Sequence, residues 1–132
     1  MTKGINEEWF ELLTKETFPK FEGKKYDFSY VESWTDCPGE HPNMWIYYKL
    51  KKGIGCVDYG CGFDEADAPP CDLMVRGTYD GFVKLVRGEW DPVRAILSGK
   101  VKPVDCQAMT LIKNVACFDM LNESKGNIDW EY

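Results

Sequence analysis

Few residues of this chain could do covalent or metal chemistry. The single histidine, His41, stands in Gly-Glu-His-Pro, a loop stretch, and a nucleophile–base dyad would need a positioned partner that no motif supplies. No G-x-S-x-G, H-E-x-x-H or P-loop pattern occurs. Asp64, Glu65 and Asp67 make an acidic run, D-E-A-D, without the spacing of a calcium loop. Paired carboxylates for glycosidase-like work cannot be picked out by spacing. The six cysteines are Cys37, Cys56, Cys61, Cys71, Cys106 and Cys117. None forms a C-x-x-C pair, and Cys56-x4-Cys61-x9-Cys71 fits neither a zinc nor a common iron–sulfur spacing. Free thiols acting as small hydrophobes are the first reading, and a redox or metal cluster is the second. Binding is therefore favoured over catalysis, with no cofactor and no metal.

The totals narrow the binding partner. At 132 residues the chain is read as one domain, residues 1–132, large enough for a real core. An apolar fraction of 44% with 14% aromatics excludes disorder. A net charge of −6 and the lack of a basic stripe argue against nucleic acid and against adhesion to anionic membranes. No apolar run approaches the ~20 residues of a bilayer span, so no stable membrane insertion is expected. The first ten residues, MTKGINEEWF, hold no secretory apolar region, which makes the cytoplasm the expected location.

Elements must position whatever binds. Residues 6–18 read as a helix capped by Asn6, with Glu7 and Glu8 at the positive end of its dipole and Pro19 stopping it. Residues 26–34 alternate as a half-buried strand, with Tyr26, Phe28 and Tyr30 on one face. After the loop 35–43, residues 44–51 give a second strand with Met44, Ile46, Tyr48 and Leu50 on one face. A turn at Lys52-Gly53 leads to a third, glycine-weakened strand, 54–62. Residues 64–70 form an acidic loop, and 71–76 a fourth strand. The short connections make the first three strands antiparallel neighbours, with one side of the sheet facing water.

The stretch YDGFVKLVRGEWDPVRAILSGKVK, residues 79–102, holds two clipped helices and a strand. Thr78 caps the first and Gly88 ends it; Asp91 caps the second, with Pro92 at its first position and Gly99 at its end. VKPV follows as a strand that Pro103 confines to an edge. The last helix is expected from Asp105, its cap, to Lys125, with Gly126 just beyond. Its apolar face would be Ala108, Met109, Leu111, Ile112, Val115 and Ala116.

These residues, in this order, resemble the sterol-carrier-protein-2-like (SCP-2) family. The similarity is carried by 72–112: an extended DLMVRG, then Thr78-x-x-x-Phe82-x-x-Leu85, then Gly88-x-x-Asp91-Pro92, a helix with Ala95, and Ser98-Gly99-Lys100-Val101-Lys102. It departs from the family's pattern at Asp105-Cys106, where a Gly-Asp or Gly-Asn pair is usual, and at Pro103, where a β-branched residue is usual. The resemblance implies an α+β fold, a five-stranded, mostly antiparallel sheet with helices covering one face. It also implies an apolar tunnel between sheet and helices that takes a fatty-acyl, sterol-like or isoprenoid ligand, in a family whose members serve as lipid carriers or as accessory domains of larger enzymes.

On the residues themselves, the inner layer is rich in aromatics and methionine, as a slot would be. Its expected lining from the first half is Phe28, Tyr30, Ile46 and Tyr48. The rest comes from the helical half: Phe82, Leu85, Val86, Trp90, Ile96, Leu97, Met109 and Ile112. Arg76, Arg87 and Arg94 are the candidates for a carboxylate or phosphate head group at the mouth. The alternative is an accessory domain that docks to an enzyme, or a homodimer, with its slot filled by side chains.

Overall fold

The computed structural model describes residues 4–132. Its sheet starts from the alternation in β1 (Phe28–Thr35), which puts Phe28, Tyr30, Glu32 and Trp34 on one face. β2 (Met44–Lys51) pairs with it antiparallel, so Tyr30 lies opposite Tyr48, Glu32 opposite Ile46 and Trp34 opposite Met44. β3 (Gly55–Gly62) continues antiparallel, with a register shift at Lys49/Leu50. The chain then crosses the back of the sheet and returns as β4 (Leu73–Thr78), parallel to β1. β5 (Val101–Pro103) closes the order β3-β2-β1-β4-β5. Pro103 lacks a ladder donor, and the strand that carries it is an edge. The fold is thus α+β, with one parallel pair in an otherwise antiparallel sheet.

Among the described residues, five helices lie over the front face. α1 (Glu7–Phe21) is capped by Asn6 Oδ1, which accepts from the Trp9 N–H at 3.0 Å. It does not stop at Pro19. Pro19 costs a hydrogen bond in the last turn, but Phe21 is buried against Tyr48 (ring centroids 5.5 Å) and Lys20 donates to Ser124 Oγ at 2.9 Å, so packing carries the helix through.

α2 (Tyr79–Val86) and α3 (Pro92–Leu97) follow their caps: Thr78 Oγ1 accepts from Gly81 N–H, and Asp91 Oδ2 from Arg94 N–H. Both end in the same motif. Gly88 (φ +74°) and Gly99 (φ +76°) adopt the left-handed conformation, and the next amide reaches back, Glu89 to Lys84 O and Lys100 to Ala95 O, each at 2.9 Å.

The expected single last helix is two, α4 (Ala108–Lys113) and α5 (Val115–Asn127). Asn114 breaks it, because its side-chain amide donates to Thr110 O at 2.9 Å, the carbonyl its own N–H would take in a continuous helix. Asp105 is not the cap: it sits at φ +53° and turns the chain, while Gln107 precedes α4 without a side-chain cap bond. Gly126 lies inside α5 rather than beyond it. The buried side of this region is accordingly Leu111, Cys117, Phe118 and Leu121, while Met109 and Ala116 face out.

The back face is only partly open to water. Val31, Trp45 and Tyr47 are buried there, packed with Met74 of β4 and with Ala68 and Cys71. The acidic run adds cover: Asp64 caps a short 3-10 turn and its carbonyl accepts from Trp45 Nε1 at 2.8 Å.

Candidate functional site

Between the sheet's front face and the helices, side chains from strands and helices meet. Tyr30, Ile46, Tyr48, Phe82, Leu85 and Ile96 are all buried there. Phe28, Val86, Trp90 and Ile112 are half-buried at its margins. Two expected lining residues lie elsewhere: Leu97 is 64% exposed and Met109 56%, each on the outer side of a short helix. For Leu97 the reason is that α3 is six residues long and turns Ala95 and Ile96 inward. For Met109 it is the break at Asn114, which resets the face that α4 presents.

The rings in this layer are in contact. Trp34 stacks on Phe82 at 4.6 Å and meets Trp9 edge-on at 5.2 Å and Tyr79 at 5.8 Å. Phe10, Phe18 and Phe21 surround Tyr48 at 5.5–6.4 Å.

At its centre lies an ion pair that sequence reasoning missed. Glu32 and Lys125 are both 0% exposed, and Lys125 Nζ donates to Glu32 Oε1. Trp34 Nε1 donates to the same oxygen at 2.7 Å, and Tyr30 Oη to Oε2 at 2.8 Å. Lys125 also donates to Asn122 Oδ1 at 3.3 Å and stands over the Trp34 and Phe82 rings at 5.3 and 5.5 Å. Burial pulls the Lys125 ammonium below the usual lysine range, with Glu32 pulling it back up. Burial, and then Glu32, push the Tyr30 phenol well above its range. The Asn122 Nδ2 group is buried without a partner. The signal was parity: Glu32 shares a strand face with Tyr30 and Trp34, so an acid between two inward aromatics had to be buried and paired.

The segment after α5 folds back over this cluster. Tyr132 Oη donates to the Lys125 carbonyl at 2.8 Å and accepts from Trp9 Nε1 at 2.9 Å, and Trp130 Nε1 donates to Gly4 O at 3.0 Å. Beside Tyr132 a surface cavity of about 370 Å³ is lined by Asp36, Cys37, Tyr79, Val83 and Arg87 among others. Arg87 thus lines a surface cavity. Arg94 lines a separate cavity with Trp90, whose ring lies between Lys84 and Lys100 at 4.9 and 4.5 Å. Arg76 is on the wrong side of the sheet: it makes a two-point ion pair with Glu65 across the back face, with Nε–Oε1 at 2.8 Å. Strand alternation puts Val75 inward and Arg76 outward.

His41 stacks on Phe63 at 3.7 Å. Among the described residues no group of three His, Cys, Asp or Glu is placed to hold a metal ion. All six thiols are free. Burial pushes Cys37 and Cys117 up to about 12, and raises Cys56, Cys61 and Cys71, the opposite of an activated thiolate. No helix of the described residues is long and apolar enough to cross a membrane.

No family model and no curated protein matches the chain. Solved structures do. A Thermus thermophilus protein, described as conserved, hypothetical and a sterol carrier candidate, aligns over 99% of this chain and 97% of its own, at 12% identity and TM-score 0.74. The crystal structure of a sterol carrier protein 2 aligns over 93% and 97%, at 12% identity and TM-score 0.72. The sterol carrier protein domain 2 of Helicoverpa armigera aligns over 95% and 91%, at 15% identity and TM-score 0.53. At such identities the likeness is one of fold, and the fold is SCP-2-like.

Proposed function

We propose that this chain, an SCP-2-like domain in fold, is a non-enzymatic cytoplasmic carrier that holds a fatty-acyl, sterol-like or isoprenoid ligand between its sheet and its helices. The observation that supports this most is the make-up of that layer. Aromatic and aliphatic side chains meet there under the long helices α1 and α5 and under three helices of eight residues or fewer, α2, α3 and α4. Helices this short owe their stability to packing, so they can shift to admit a ligand. α4 also lacks a side-chain cap, which lowers the cost of moving it.

Magnitudes allow it. A C16 chain buries about 15 methylenes at ~0.8 kcal/mol each, a gross gain of ~12 kcal/mol. Association, ordering and the displacement of packed side chains cost several kcal/mol, leaving affinity on the order of micromolar.

The test is native mass spectrometry of the protein purified from bacteria, together with titration by a fluorescent fatty acid. A one-to-one lipid adduct and a saturable isotherm are expected; nothing bound in either would sink the proposal.

A second reading, an accessory domain that pairs with another chain, is favoured by β3. This edge strand leaves Val57 and Tyr59 exposed, with Ile54 just before it. Light scattering that finds a dimer, lost in Val57→Lys, would support it; a monomer at all concentrations would remove the homodimer form.

A further inference from the structure

The contacts of Tyr132 specify one kind of chemical group. Its hydroxyl accepts a hydrogen from Trp9 Nε1 at 2.9 Å and gives its own to the Lys125 carbonyl at 2.8 Å. Trp9 and Lys125 are both fully buried. An indole N–H can only donate and a carbonyl can only accept, so the pair forms a fixed complement to an alcohol, which does both through one oxygen. A carboxylate brings acceptors alone and would set an oxygen against the Lys125 carbonyl. Burial pushes the Tyr132 phenol above its usual range, the Trp9 hydrogen bond pulls it back, and Tyr79 and Glu32 add to the rise.

The occupant is held by side-chain contacts rather than by a helix or strand. Residues 128–132 belong to no helix or strand, and Ile128, Trp130 and Tyr132 are only partly buried where they pack on the core. A surface cavity of about 370 Å³ opens beside Tyr132. An apolar molecule arriving there can take the track of Ile128 and Trp130 and put its terminal oxygen where the phenol was.

We propose that the slot between Trp9 and the Lys125 carbonyl is a hydroxyl-recognition site, filled here by the chain's own Tyr132, and that its ligand is an apolar alcohol that displaces residues 128–132. This rests on the carrier reading and names its ligand's polar end. The internal occupant lowers apparent affinity, because only the fraction of molecules with the segment released is competent to bind.

The test uses the full chain and two ligands that differ only at one end, hexadecanol and hexadecanoate, each displacing the same fluorescent acyl probe. The wild type should bind hexadecanol about tenfold more tightly, as expected of a site that leaves a buried polar group unpaired with the wrong ligand. Tyr132→Phe removes both hydrogen bonds of the phenol, leaving the Trp130 bond to Gly4 O, and should tighten hexadecanol binding about three- to tenfold, with the near-UV circular dichroism confirming the fold. Trp9→Phe should bring the two ligands close to parity. Independently of any variant, the indole N–H resonance of Trp9 in the wild type should shift on saturation with hexadecanol, as its acceptor changes from the phenol to the bound alcohol. Equal affinities, a Tyr132→Phe affinity that is unchanged or weaker, or an unmoved Trp9 resonance would overturn the hydroxyl site alone. If neither compound nor the probe binds any variant, the carrier reading falls with it.

Discussion

Glu32 and Lys125 dominate the energetics of individual residues. A buried ion pair gains little over an apolar replacement, but removing one partner strands the other charge. Lys125→Met leaves Glu32 with the Tyr30 and Trp34 donors only and should cost about 3–5 kcal/mol in urea unfolding. The double variant Glu32→Gln, Lys125→Met should recover most of that loss. If the double variant is as unstable as the single one, charge is not what holds this cluster. The thiols give a second prediction. Cys117 is raised from 9.0 to about 12 because burial disfavours its thiolate, with the Glu32 charge adding to it. The unfolded chain therefore releases this proton first, so stability is full below pH 9 and falls as pH rises towards 12, by up to about 1.4 kcal/mol per pH unit. Cys117→Ala should lower stability at pH 7 and flatten the alkaline slope. An unchanged slope would show that the burial of Cys117 is not its source.

Among the elements, the two short helices are where local signals count most. Thr78→Ala removes the bond to the Gly81 N–H and should cost about 1 kcal/mol. Gly77→Ala should cost about 1–3 kcal/mol, because a Cβ there would stand 2.9 Å from Val101 Cγ1 and 3.0 Å from the Phe82 ring. Leu97→Ser and Met109→Ser, by contrast, should stay within about 0.5 kcal/mol by thermal melting, since both side chains are already in solvent. A large loss at either would place it in the core after all. The caps and the four-strand alternation were legible because they are local: Asn6, Thr78, Asp91, Gly88 and Gly99 act within a few residues of themselves. What packing decides was not. Pro19 reads as a stop, yet Phe21 beyond it is held by Tyr48 on another element. Asn114 reads as an ordinary helical residue, and only its side-chain bond to Thr110 O splits the last helix.

For the molecule as a whole, the SCP-2-like resemblance read from 72–112 gave the right fold, and the solved structures agree with it at 12% identity. The site was less legible. Apolar periodicity identifies inward faces, so Tyr30, Tyr48, Phe82 and Ile96 read as facing inward, and they are buried. It cannot say whether those faces touch one another or leave room, because both satisfy the same pattern. Nor does it pair Glu32 with Lys125, which are distant in sequence and meet only when α5 lies on β1. The same closure brings Tyr132 to Trp9. The central claim is that a ligand goes into the layer between sheet and helices. Paramagnetic relaxation of amide NMR signals by a spin-labelled C16 chain tests it directly. Bleaching should concentrate at Trp34, Phe82 and Leu121, on both sides of that layer, and spare β3. No saturable bleaching, or bleaching confined to the surface around Leu97 and Met109, would contradict it.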